Sequence, residues 1–130
     1  MASTASIEER ARSIIEVNLA LKDDETLLVV TDEDTYDIGR MLYDVARSMG
    51  VRASMMLMPV GNVNGEEPPS AVSAAMKSAD VVVCPTAKSL THTSARIEAA
   101  AAGARVVTMP GITASMLQEG AACADYAEVE

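Results

Sequence analysis

Four short apolar runs, separated by stretches with helical periodicity, constrain the fold of this 130-residue chain more than any other feature. The first, Thr26 to Thr31, reads TLLVVT without polar alternation, the mark of a strand buried on both faces. The second covers Val51 to Met58 and ends at Pro59. The third is VVVC after Asp80, stopped by Pro85, and the fourth runs from Arg105 to Met109. Around them the spacing turns helical. Ser6-Ile7-Glu8-Glu9 forms a capping box, and Ile7, Ala11, Ile14, Ile15 and Leu19 then share one face up to about Leu21. Thr35 to Met49 turns Ile38, Leu42, Val45 and Ala46 inward, and Gly50 supplies a left-handed stop. Pro68 or Pro69 opens a helix reaching about Ala79, where a missing N–H costs nothing. Another helix covers about Ala95 to Ala102 and closes at Gly103, and Thr113 caps a last one that fades near Ala124.

Strands alternating with helices in this way predict a single α/β domain over residues 1–130, three-layered and Rossmann-like (flavodoxin-like). Its sheet is expected to hold four parallel strands in the order 2-1-3-4, with right-handed crossovers and helices on both faces. The core is built from unusual stock: no Phe or Trp, three Tyr and nine Met. Small and flexible side chains must fill it, which predicts close helix–sheet packing and modest stability.

Charge narrows the partners. A net charge of −9 argues against nucleic acid and against an anionic membrane surface, both of which need concentrated Lys and Arg. No run approaches the roughly 20 apolar residues of a membrane span. Glu8, Glu9 and Arg10 stand where a signal peptide would need apolar residues. Cys84 and Cys123 are too few for a disulfide framework and read as reduced thiols, so a cytoplasmic protein is expected.

In an open parallel sheet, ligands bind beyond the carboxyl ends of the strands where the winding reverses. With the order 2-1-3-4 that crevice lies between strands one and three, flanked by Asp32 to Thr35 and Thr86 to Thr93. The second loop leads into a helix N-terminus, whose free N–H groups favour an anion or carboxylate. The candidate ligand-binding residues are therefore Asp32, Asp34, Thr86, Ser89, Thr91, His92, Thr93 and Arg96. Each also has a structural use. The acids and hydroxyls are capping residues, Arg96 can form an internal ion pair, and a lone His92 has many roles.

Several chemistries are excluded by pattern. Neither G-x-x-x-x-G-K-[ST] nor G-x-G-x-x-G after the first strand is present, so a nucleotide cradle has no support. One histidine cannot build a His-rich zinc site. Ser89, His92 and Asp32 do not make a convincing triad, because the Ser and His share one loop without separate supports. A phosphoacceptor receiver fails at the third strand, which ends Cys84-Pro85-Thr86 where an acceptor Asp is needed.

Four segments carry a family resemblance: DDETLLVVTDEDT, EEPPSAVSAAMKSADVVVCPTAKSLTHTSAR, EAAAAGARVVTMPGIT and the closing Met116 to Asp125. Together, over about Leu21 to Asp125, the chain resembles the N-terminal domain of the aminopeptidase T-like metallopeptidases, the M29 group of leucyl aminopeptidases. SLTHT-x-AR followed by GARVVTMPGIT is the specific part. The resemblance implies a domain, inactive alone, that shapes the substrate cleft of a hydrolase and contacts a C-terminal catalytic domain or a partner subunit. It also implies a divalent metal, Zn or Co, held by Glu, His, Tyr and Asp of that second domain. No metal ligand, cofactor or catalytic residue carries over to this chain. The chain ends at AEVE where a first domain would end, so it is expected to be a piece of a longer enzyme or a short protein that kept one domain. Bacterial dihydroxypyridine dioxygenases look like relatives of the group, which leaves a fragment of such an enzyme as one alternative. A stand-alone module that binds a small anion or carboxylate, or assembles into homo-oligomers, is the other.

Overall fold

A computed structural model describes residues 9–19, 21–22 and 24–109. The Ser6 capping box, Cys123, Thr113 and the helix expected after it lie outside the described residues. The remaining elements follow the expected order. Helix α1 (residues 9–18) begins as α-helix and widens into a π-helical turn over Ile14–Asn18. There the Leu19 N–H donates to the Ile14 carbonyl at 2.8 Å, five residues back. Strand β1 (Thr26–Asp32) leads to α2 (Tyr36–Ser48), then β2 (Arg52–Met58) and α3 (Ser70–Ser78). After these come β3 (Val81–Cys84), α4 (Ser94–Ala101) and β4 (Arg105–Thr108). The four strands form one parallel sheet in the order β2-β1-β3-β4. Strand β1 extends one residue beyond its apolar run, because Asp32 still pairs with Met58 of β2.

Side chains of the central strands alternate between two cores, one on each side of the sheet. Leu27, Val29, Val81 and Val83 pack with Ala11, Ile14, Ile15 and Leu19 of the first helical segment, and with Ile38, Leu42 and Ala46 of α2. Leu28, Val30, Val82 and Cys84 pack with Val72 and Met76 of α3 and with Ala95 and Ala99 of α4. This double burial explains why β1 and β3 read as unbroken apolar runs. Strand β2 lies at the sheet edge and is half exposed, with Leu57 53% open to solvent.

Small residues set the layer spacing. A Cβ built on Gly39 of α2 would lie 2.6 Å from Thr31 Cβ, so the helix approaches β1 only because that atom is missing. Gly50 and Gly103, at φ 86° and 108°, end α2 and α4 in the left-handed region that other residues avoid. No buried side-chain polar atom among the described residues lacks a partner. No helix among them is long and apolar enough to cross a membrane.

Candidate functional site

The amino ends of the strands are sealed by polar links. Asp80 Oδ2 accepts from the Thr26 N–H at 2.9 Å, and Arg105 bonds both Glu25 and the Leu19 carbonyl. The carboxyl ends instead carry the long loops, and a cavity of about 260 Å³ opens among them. Its apolar lining comes from Met58, Pro59, Val60, Val63, Pro68 and Leu90. Its polar lining is Asp32, Glu66, Glu67 and Lys88. The cavity thus sits at the end of the sheet expected from the topology. Its walls are drawn mostly from loop 59–69 between β2 and α3, with contributions from the ends of β1 and of the β3–α4 connection.

Of the eight candidate residues, Asp32 lines this cavity. It is buried, and its carboxylate ties two loops together. Oδ1 accepts from the Asp34 and Thr35 N–H groups at 3.1 Å each, and Oδ2 accepts from the Ala87 N–H at 2.7 Å. The Thr35 hydroxyl lies within reach of Asp32 Oδ1 and of the Pro85 carbonyl, and its single proton serves one of them at a time. Asp34 is exposed and engages Asp32 through its backbone N–H.

The hydroxyls of the loop from Thr86 to Thr93 bond within the chain, mostly to the loop's own backbone. Thr86 Oγ1 donates to the Lys88 carbonyl at 2.6 Å, and Ser89 Oγ accepts from the Thr91 N–H at 3.1 Å. Thr91 Oγ1 pairs with Thr108 Oγ1 of β4 at 2.7 Å. Thr93 is the N-cap of α4, accepting from the Arg96 N–H at 3.1 Å while its hydroxyl donates to the Leu90 carbonyl. Arg96 Nε donates to the Thr91 carbonyl at 2.7 Å, closing the turn, and His92 stands exposed on it.

The helix N-terminus expected to attract an anion has one from within the chain. Glu67 accepts from the Ser94 and Ala95 N–H groups at 2.7 and 3.2 Å. The same loop is pinned again nearby. The Gly65 N–H donates to the Ser89 carbonyl at 2.9 Å, and the Ser89 N–H to Asn64 Oδ1 at 2.8 Å. The Ser89 to Arg96 segment therefore serves as the anchor of loop 59–69. Sequence reading missed that loop, together with Gly61 and Lys88, as cavity walls. The available signal was its length, unusual where most connections run about four to six residues.

Among the described residues no three His, Cys, Asp or Glu side chains cluster in a way that could hold a metal ion. No family model matches the sequence, and a sequence search of curated proteins finds no match. Solved structures do share the fold. The 2,5-dihydroxypyridine dioxygenase of Pseudomonas putida KT2440 superposes on 83% of this chain with a TM-score of 0.69 at 13% identity. Wild-type AmpT of Thermus thermophilus superposes on 96% with a TM-score of 0.56 at 12% identity. The chain spans 35% and 42% of the length of those two proteins, so it is similar to one part of each.

Proposed function

We propose that this chain acts as the N-terminal domain of an aminopeptidase T-like, metal-dependent peptidase, shaping a substrate cleft at the carboxyl edge of its sheet and inactive by itself. The supporting observation is the segment Ser89 to Arg96. It carries the sequence resemblance, and it holds in place the loop that walls the cavity. The fold shared with AmpT over 96% of the chain is consistent with the reading. Under it the metal and its ligands belong to a second domain, and the contacts of this one are with that domain or a partner subunit. The purified chain should then release no p-nitroaniline from leucine p-nitroanilide when Zn²⁺ or Co²⁺ is added. A rate abolished by chelator would overturn the proposal. So would a native gene product with an intact mass of 13.6 kDa, since the reading requires one more than twice as large.

A second reading is favoured by the better superposition on the dioxygenase, 0.69 against 0.56. The domain would then belong to an enzyme of that kind. Oxygen-dependent consumption of 2,5-dihydroxypyridine by the native product, with no peptidase activity, would decide for it.

A further inference from the structure

The cavity at loop 59–69 leaves two things unmatched. Its three carboxylates all accept hydrogen bonds from the protein: Asp32 from three backbone N–H groups, Glu67 from two, and Glu66 from the Asn62 N–H at 2.6 Å. The Lys88 ammonium has neither a hydrogen bond nor an ion pair among the described residues. Apolar surface is also left open, for Val63 is 61% exposed at the same cavity. The charged side chain here without a protein partner is a cation, Lys88, set among three carboxylates that keep their charge, and the surface awaiting cover is hydrocarbon. The volume, about 260 Å³, falls below the roughly 300–1,000 Å³ of pockets for drug-sized ligands.

The geometry points to this cavity as a binding site for a small monocarboxylate with an apolar body. The carboxylate pairs with Lys88 Nζ, and the body lies against Met58, Val63 and Leu90. Recognition is divided between the two parts. An exposed ammonium–carboxylate pair contributes up to about fivefold in affinity, so burial of the hydrocarbon must supply the rest. The inference does not rest on the aminopeptidase-type reading. It concerns binding to this chain by itself, and failure of the hydrolysis or mass test leaves it standing.

Gly61 supplies a clean way to close the site. A Cβ there would lie 3.6 Å from Glu66 Oε1 and 3.7 Å from Lys88 Cβ, in ordinary contact with side chains, so a side chain can start at this cavity-lining position without a clash at its Cβ. The test titrates the full chain with hexanoate, hexylamine and hexanamide and reads backbone amide shifts by NMR. Hexanoate is expected to shift Gly61, Val63, Lys88 and Leu90 saturably, with the neutral amide weaker and the amine weakest. Lys88→Met should weaken hexanoate about three- to fivefold, Lys88→Glu should shift the preference to hexylamine, and Gly61→Leu should abolish binding. Lys88 is exposed, so its variants keep the test valid even if the Gly61 variant folds poorly. Stronger binding of hexylamine by the unaltered chain would overturn the inference, because the acids would then dominate. Equal binding of hexanamide, or no saturable shift, would overturn it as well.

Discussion

Asp32 and Gly39 show how much of this domain depends on single atoms. Asp32 reads as a ligand residue because it ends the first strand at the binding edge. The structure puts it in the cavity wall, where its carboxylate accepts from three backbone N–H groups of two different loops. Gly39 draws no attention in the sequence, yet its hydrogen is all that separates α2 from Thr31. Thr31 is buried and its hydroxyl is paired with Thr35 at 3.0 Å, so it has no easy retreat. Gly39→Ala removes backbone freedom from the unfolded chain and improves helix propensity, which together favour folding by about 1 kcal/mol. Overpacking of a close interface costs about 1–3 kcal/mol. With a Cβ–Cβ distance of 2.6 Å the second effect should win, and urea denaturation should show a net loss of stability. A variant as stable as the parent would mean that α2 can slide off β1 at little cost.

At the scale of elements, strands and helices were legible because each follows from a local pattern. TLLVVT is apolar on both faces because β1 lies between β2 and β3 with helices on either side. Gly50 and Gly103 end helices because only they accept positive φ cheaply. The role of loop 59–69 was not legible, since it depends on contacts between residues far apart in sequence. Glu67 reaches Ser94, 27 positions on, and no periodicity records such a bond. The hydroxyls of Thr91 and Thr93 were readable as capping residues or as ligands, with capping the commoner use, and the bonds they make lie within the chain. The bond between Glu67 and α4 is testable. Loss of a charged cap at a helix N-terminus costs about 0.5–2 kcal/mol. Glu67→Ala should show that loss together with faster amide hydrogen exchange at Gly65, whose N–H donates to the Ser89 carbonyl, and at Ser89, whose N–H donates to Asn64 Oδ1. Unchanged exchange at those two amides would show that Asn64 and Gly65 hold the loop without Glu67.

For the whole molecule, one ion pair joins the starts of two strands that do not neighbour each other in the sheet. Glu25 precedes β1 and Arg105 opens β4, with β3 lying between those strands. The guanidinium donates to both carboxylate oxygens at 2.9 and 3.1 Å and to the Leu19 carbonyl beyond α1 at 3.0 Å. A two-pronged contact of this kind is stronger than an ordinary surface pair. Its hydrogen bonds, and secondarily the Lys22 N–H, hold the Glu25 carboxyl down to about 2 from an ordinary 4.5. In the unfolded chain that carboxyl returns to its ordinary value. As pH falls through the interval between the two values, the unfolded state therefore takes up the proton first and stability drops. Above the ordinary value the contribution is fully present, and below about 2 it is gone. Acid also titrates the other carboxylates of this chain of net charge −9, so the parent protein's pH profile alone cannot isolate the pair. The difference between the parent and Glu25→Gln can. That difference, measured by urea denaturation, should be constant near neutrality, shrink once the pH passes below 4.5 and vanish near 2. A difference that stays constant down to the lowest pH would show that the glutamine has lost packing rather than charge.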